Sequence, residues 1–372
     1  MAKTILGIDL GCDSLKLALC SGGKLKKHVS VSMPQNLIKE GRLVSPETLG
    51  ELIRSVMKEN GINCRNAAVV LPNDVVYLRN VTMPRMTDEQ LRYNLPYEFR
   101  DYISDELKNY AFDYAMITPL YELLGKKPDE MTKGKKPKKG KKGEPKPAPE
   151  SEPTPAPEPS ASDEAASTSM ELMAVAVPLA VIEEYRVAIR KAGLKLVKLA
   201  PSVSAYQELL RRAPGEDADK RESCILDLGH QSIRMYMFKG ERHMVTRMLE
   251  VGLNSLDQVI ADSMSVDEHL AHTYLLTNHE NCQNSESCRN TYGNIAVELM
   301  RALNFYHFSD PTSTLNDVWL CGGGAALTPL REIIAETLDM NIHSASELLP
   351  DGDAAGDSHI IAKAVGITMV GD

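Results

Sequence analysis

The sequence predicts a mixed α/β chain built around two copies of one strand–turn–strand unit. Three observations predict it. First, Thr4-Ile-Leu-Gly-Ile-Asp9-Leu-Gly11-Cys-Asp-Ser14-Leu-Lys16-Leu-Ala and Cys224-Ile-Leu-Asp227-Leu-Gly229-His-Gln-Ser232-Ile-Arg-Met-Tyr follow one pattern. Each has an apolar strand ending in Asp, a turn containing Gly, a hydroxyl shortly after it and a second alternating strand. Second, Val318-Trp-Leu-Cys-Gly322-Gly323-Gly324-Ala-Ala-Leu-Thr puts a glycine triplet at the end of a late strand. Third, stretches with a 3.6-residue apolar period separate the strand-like runs.

Residues 4–32 read as a hairpin plus another short strand. Leu49, Leu52, Ile53, Val56 and Met57 share one helical face, and Gly61 follows as a stop. Ala67 to Leu71 is a short apolar run, hence a buried strand. Asn73-Asp74 marks a turn, and Val75 to Val81 alternates. A helix near 87–103 is interrupted at Pro96, which lacks a backbone donor. Tyr110 to Ile117 alternates again.

Then the composition changes. From Gly125 to Ser169 there is no Leu, Ile, Val or aromatic residue; a Lys-rich run, Lys133 to Lys142, leads into Pro, Ala, Glu and Ser. Such a segment cannot bury enough apolar surface to offset chain entropy and is expected to be disordered. It reads as an expanded surface loop, since each doubling of loop length costs only about 0.6 kcal/mol. The lysines could meet anionic lipid headgroups at about 1 kcal/mol each; a solvated tether, partly neutralised by its acidic second half, is the simpler reading. Beyond it come a helix at 179–192, a strand at 194–199, a helix at 202–212 and the second hairpin. Residues 254–278 are expected to be helical, 278–290 polar and turn-rich. Residues 291–308 form a helix with Ile295, Leu299, Ala302, Leu303 and Tyr306 on one face. Helices at 328–339 and 357–369 close the chain.

The 372 residues suffice for two sizeable domains. A formal net charge of −9 argues against a general nucleic-acid binder. No apolar run approaches the ~18 residues of a membrane span, and the first residues carry no signal-peptide pattern. Seven scattered cysteines suggest reduced thiols and a cytosolic compartment.

The doubled hairpin and the glycine triplet, in this order, suit a cleft for a nucleotide phosphate chain and its metal. Glycine admits close backbone approach and positive φ. Mg²⁺ keeps several waters, so one or two carboxylates suffice; Asp9 and Asp227 would be those carboxylates, acting through water. Ser14 and Ser232 would donate hydroxyls to phosphate, and Lys16 would neutralise its charge. Gly11, Cys12 and Asp13 of the first turn and Gly229 and Gln231 of the second complete the phosphate-binding set. Gly322, Gly323 and Gly324 would lie under adenine or ribose, before a helix N-terminus. Taken singly, each motif is an ordinary turn or loop; order and spacing together make the case.

These residues resemble the actin-like ATPase superfamily, which includes actin, Hsp70, sugar kinases and FtsA, and within it the PilM-like proteins of type IV pilus assembly. Stretches outside the cleft motifs carry the resemblance as well: Leu37-Ile-Lys-Glu-Gly41-Arg-Leu-Val-Ser-Pro, Val81-Thr-Met-Pro84 with Tyr97-Glu98 to Ile103, Met170 to Pro178 with Ala192-Gly193-Leu194, Leu249-Glu-Val-Gly252, and the closing Ala364-Val-Gly366. The resemblance implies an actin-like ATPase fold: two RNase H-like domains around a nucleotide cleft, with an inserted small α/β (SHS2-like) subdomain. The first domain would take 1–78 and 193–222, the insertion 79–192 with its linker 125–169, and the second domain 223–372. It further implies ATP and Mg²⁺ as cofactors and, as partners, the N-terminal cytoplasmic peptide of a PilN-like inner-membrane protein and a pilus ATPase complex. The chain would then sit in the cytoplasm at the inner face of the membrane.

Departures from the family pattern bear on catalysis. Cys12 replaces the usual Ser and is a weaker donor, and Leu253 replaces a glycine. Leu196 to Tyr206 contains no acid for a hydrolytic water, and Asp267-Glu268-His269-Leu270-Ala271 lacks the family's helix lysine. ATP binding with weak or absent hydrolysis is the expectation. An FtsA-like division protein would end in a basic amphipathic helix, and the chain ends Gly366-Ile-Thr-Met-Val-Gly-Asp372. A small-molecule kinase would need a base; Asp74 and Asp113 are available, without kinase-like neighbours. His269, His272, His279, Cys282 and Cys288 form a local group of metal-ligand types, but their spacing fits no common zinc finger and reads as coincidence.

Overall fold

A computed structural model of the chain describes residues 3–34, 37–39, 41–117, 169–213, 221–350 and 357–371. The segment expected to be disordered, 125–169, lies outside the described residues except for Ser169. The chain divides into two compact units, residues 1–76 with 180–372, and residues 77–179.

The larger unit contains two five-stranded sheets of one design. In the first, β1 (Thr4–Leu10), β2 (Ser14–Ser21) and β3 (Lys24–Ser32) form an antiparallel meander. Beyond a two-residue antiparallel pair, β4 (Ile38–Lys39) and β5 (Arg42–Leu43), strands β6 (Asn66–Leu71) and β10 (Lys195–Pro201) extend it in parallel on the other side of β1. In the second, β11 (Glu222–Leu228), β12 (Ile233–Lys239) and β13 (Arg242–Leu249) repeat the meander. Strands β14 (Asp317–Cys321) and β15 (Asn341–Ser344) repeat the parallel extension. The central strand of each is buried along nearly its whole length, which is why both read as continuous apolar runs rather than alternating ones. This doubled arrangement is the actin-like architecture that the resemblance implies.

Helices cover the sheets. Helix α1 (Pro46–Glu59) starts with Pro at its first turn and buries Leu49, Ile53, Val56 and Met57; Gly61 just beyond takes φ 61°. In the smaller unit β7 (Tyr77–Pro84) and β8 (Tyr110–Met116) flank β9 (Ser169–Pro178), all antiparallel. A short helix α2 (Asp88–Asn94) begins with a Thr87/Gln90 capping box and gives way to a 3₁₀ segment from Leu95 to Phe99, where Pro96 sits. Val81, Leu91, Phe99, Met170 and Leu172 form the centre of this unit's own core.

Back in the larger unit, α3 (Leu179–Lys191) and α4 (Ser202–Arg212) follow the expected periods. The helix expected over 254–278 is two. Ser265 adopts left-handed φ 53° after α5 (Asn254–Met264), and Asp267 caps the new helix α6 (Glu268–Thr277) by accepting from the Leu270 N–H. Helix α7 (Glu286–Ser309) starts five residues earlier than its apolar face suggested, because Ser285 caps it. Helix α8 (Thr328–Thr337) follows the glycine triplet. The expected closing helix is a 3₁₀ turn, Asp357–Ile361, followed by α9 (Ala362–Met369).

Helix α9 lies against β1, β2 and β6 of the first sheet, which precede it by some three hundred residues. Gly7 in β1 makes this approach possible: a Cβ there would stand 1.7 Å from the Ala364 carbonyl oxygen. Gly366 similarly leaves room for the backbone of Ala205 in α4. The end of the chain therefore completes the core of its beginning.

Candidate functional site

The two hairpins have the same register. Asp9 is paired with Lys16 across the first, and Asp227 with Arg234 across the second. Both aspartates lie at the inner end of their central strands and face one cleft of about 420 Å³. They are almost fully buried, at 3% and 5% exposure.

The cleft is lined by every residue expected there except Gly324: Asp9, Gly11, Cys12, Asp13, Ser14 and Lys16 from the first hairpin, Asp227, Gly229, Gln231 and Ser232 from the second, and Gly322 and Gly323 from the late strand end. Gly324 is buried instead beneath Leu228 and Leu253. Gly322 takes φ 83°, and a Cβ on it would lie 2.7 Å from an Asp227 carboxylate oxygen. Only glycine can carry the chain past that carboxylate.

One residue that sequence reasoning missed governs the electrostatics. Lys363 of α9 places its Nζ 2.9 Å from Asp227 Oδ2 and 3.5 Å from Asp9 Oδ2, while Lys16 Nζ lies 3.5 Å from the same Asp9 oxygen. Burial alone would raise the Asp227 carboxyl; Lys363 and Lys16 outweigh it and hold the group below the usual carboxylate range. The same pairing, against burial, holds Lys363 well above the ordinary lysine value. Asp9 Oδ2 accepts no hydrogen bond among the described residues, so an acceptor faces the cleft held by ion pairs alone.

An ammonium group lies between the two carboxylates expected to hold Mg²⁺ through water, and it supplies positive charge at that point. Other features suit a polyanion: two glycine-containing turns, the buried Lys16, the half-buried Lys363 and the Gly322–Gly323 floor around one cavity of ligand size. Asp74, one of two residues available as a base, is engaged by Arg234, whose Nη2 lies 2.8 Å from both of its oxygens. Asp113, the other, is exposed on β8 of the smaller unit.

A second polar network lies along the same cleft. His272 on α6 sets Nδ1 3.0 Å from Asp257 Oδ2 and Nε2 3.1 Å from Asp13 Oδ1. His230 Nε2 lies 2.7 Å from Asp257 Oδ2. Asp13, foremost, and Asp257 push the His272 imidazole up to about 10 against the effect of burial. In return, its contact with His272 holds the Asp13 carboxyl below its ordinary value. Of the five residues in the 269–288 group, only His272 belongs to a cluster with metal-ligand spacing among the described residues. Its companions there, Asp13 and His230, are remote in sequence, which is why local spacing did not reveal them.

Comparison with known proteins gives a family match. A sequence profile of the family described as "Type IV pilus assembly protein PilM" matches residues 7–132 and 160–348. A solved structure described as "PilM-PilN type IV pilus biogenesis complex" is similar at TM-score 0.71 and 21% identity, covering 98% of this chain and 97% of that one. The ethanolamine utilization protein EutJ from Carboxydothermus hydrogenoformans is similar at TM-score 0.55 and 14% identity, covering 100% of this chain and 90% of that one. Comparison with curated proteins gives no match.

Proposed function

The chain belongs to the PilM family of type IV pilus assembly proteins, and on that premise we propose that it is an actin-like, nucleotide-binding adaptor of the pilus assembly machinery. The observation that carries the nucleotide reading is the pair of like hairpins facing one cleft, with Asp9 and Asp227 at its base and Gly322 passing beneath. Backbone N–H groups of the two turns, with Ser14 and Ser232, would hold phosphate oxygens. Lys16 and Lys363 would meet their charge, so nucleotide is taken up without a divalent ion resident between the carboxylates. ATP is the nucleotide we assign.

Hydrolysis is slow or absent in this reading. The strand and helix from Leu196 to Tyr206 bring no acid to the cleft, and Asp74 is committed to Arg234. The bound nucleotide then serves to hold the two sheets about the cleft rather than to drive a cycle.

The neighbouring solved complex pairs a PilM with a PilN, and we assign this chain a partner of the same kind: the cytoplasmic N-terminal peptide of a PilN-like membrane protein. No described helix is long and apolar enough to cross a membrane, so attachment to the inner face of the cell membrane would run through that partner.

Two measurements on the full chain test the proposal. ATP binding by calorimetry should be saturable and should fall at least tenfold, about 1.4 kcal/mol, in Gly322→Val. A synthetic peptide from the cytoplasmic end of a PilN-like protein should bind with micromolar or better affinity. Absence of ATP binding would remove the nucleotide reading; absence of peptide binding would remove the adaptor reading.

A further inference from the structure

We propose that Asp13, His230 and His272 form a binding site for a transition-metal ion of the zinc class, with Asp257 holding the two imidazoles from behind. This site is separate from the Asp9–Asp227 pair and does not depend on the nucleotide reading.

One ligand atom from each of the three residues lies within 4.8 Å of the others. Tetrahedral zinc with bonds of about 2.0–2.2 Å needs its ligand atoms about 3.4 Å apart, so the set would have to draw together by roughly 1 Å on binding. His272 Nε2 is already 3.1 Å from Asp13 Oδ1, so two of the ligand atoms are held side by side as an ion pair that an incoming cation would replace on loss of the imidazole proton.

The outer partner that a metal-bound histidine needs is in place. Asp257, only 4% exposed, lies 2.7 Å from His230 Nε2 and 3.0 Å from His272 Nδ1 through the same oxygen. One carboxylate therefore fixes both rings, as in carboxylate–histidine–zinc arrangements. It leaves His230 Nδ1 and His272 Nε2 for the ion. Two imidazoles and one carboxylate suit zinc with a fourth position open, whereas Mg²⁺ favours oxygen ligands alone. All three ligand residues line the cleft, so the open position faces it.

The site also joins the two sheets. Asp13 sits in the turn between β1 and β2, His230 in the turn between β11 and β12, and His272 on α6. An ion held by all three would tie the first hairpin to the second and stabilise the arrangement by ligand linkage.

The test uses the full chain, free of any affinity tag, with Zn²⁺ and with Co²⁺ as a spectroscopic probe. Titration should give one equivalent of tight binding, a rise in Tm, and visible Co²⁺ absorption of four-coordinate type without thiolate charge transfer. His272→Gln and His230→Gln should each weaken Zn²⁺ binding at least tenfold, and Asp257→Asn by about 10–100-fold, with far-UV circular dichroism unchanged. No binding by the native chain would overturn the proposal. So would a thiolate band, which would point to a cysteine such as the exposed Cys12, or unaltered affinity in His272→Gln. If the variants fail to fold, the native Co²⁺ spectrum and the stoichiometry decide alone.

Discussion

Replacing Lys363 by Met tests the electrostatic logic of the cleft most directly. At separations of 2.9 and 3.5 Å, each ion pair has a gross attraction of about 5 kcal/mol at an effective dielectric of 20. Desolvation of the two buried carboxylates and the half-buried ammonium offsets much of that. Removing one partner of such a buried set costs about 3–5 kcal/mol, because the remaining charges stay unpaired. Here two carboxylates would remain, with Lys16 alone beside Asp9. Two consequences are expected. Chemical denaturation should show the variant destabilised by about 3–5 kcal/mol, a large share of the 5–15 kcal/mol typical of folded domains. The carboxylate pair, stripped of its ammonium, becomes the divalent-cation site it resembles in sequence. In calorimetric titrations of ATP, the native chain should change affinity less than threefold between EDTA and millimolar Mg²⁺. Lys363→Met should change at least tenfold, about 1.4 kcal/mol, binding poorly in EDTA and recovering with Mg²⁺. An equal Mg²⁺ dependence in the two proteins would refute the reasoning, since Lys363 would then not stand in for the ion.

Three further outcomes follow from the same geometry. Gly7→Ala should destabilise the chain by at least about 1–3 kcal/mol in urea unfolding, because its Cβ would meet the Ala364 carbonyl oxygen; if it folds, its ATP binding should gain Mg²⁺ dependence as Lys363 is pushed away. In chelator, the Tm gap between the native chain and His272→Gln should be widest near pH 6 and shrink toward pH 10. A folded-state value raised from 6.5 to about 10 gives stability that is fully present below 6.5 and is lost as pH climbs; a gap independent of pH would count against the ion pairs. Burial lowers His243 to about 4, so its contribution is present above 6.5 and lost as pH falls toward 4; His243→Gln should flatten that acid limb in thermal melts.

Much of the architecture was legible because it rests on local signals. The apolar run at 224–228 and the alternation after Ser232 describe a hairpin whether or not its surroundings are known. Pro96 announces the end of α2, and Gly61 the end of α1. The break at Ser265 was not legible, since apolar periodicity continues through it and only a left-handed serine followed by an aspartate cap interrupts the helix. At the cleft, Asp9 and Asp227 could be paired by their repeated context. Lys363 could not: it stands in an unremarkable Ala-Lys-Ala-Val-Gly segment, and its role arises from where α9 docks. The histidine cluster shows the converse. Residues crowded together at 269–288 are not gathered around a point, while Asp13, His230 and His272 are.

The docking of α9 on β1 also dictates an order of events during synthesis. Residues 4–71 leave the ribosome long before 362–369 exist, so the first sheet must wait with its Gly7 groove uncovered while some three hundred further residues are added. Contacts of such sequence separation form late and slowly. The amino-terminal strands therefore remain a vulnerable nascent surface, in need of shielding, until residues 362–369 have been made.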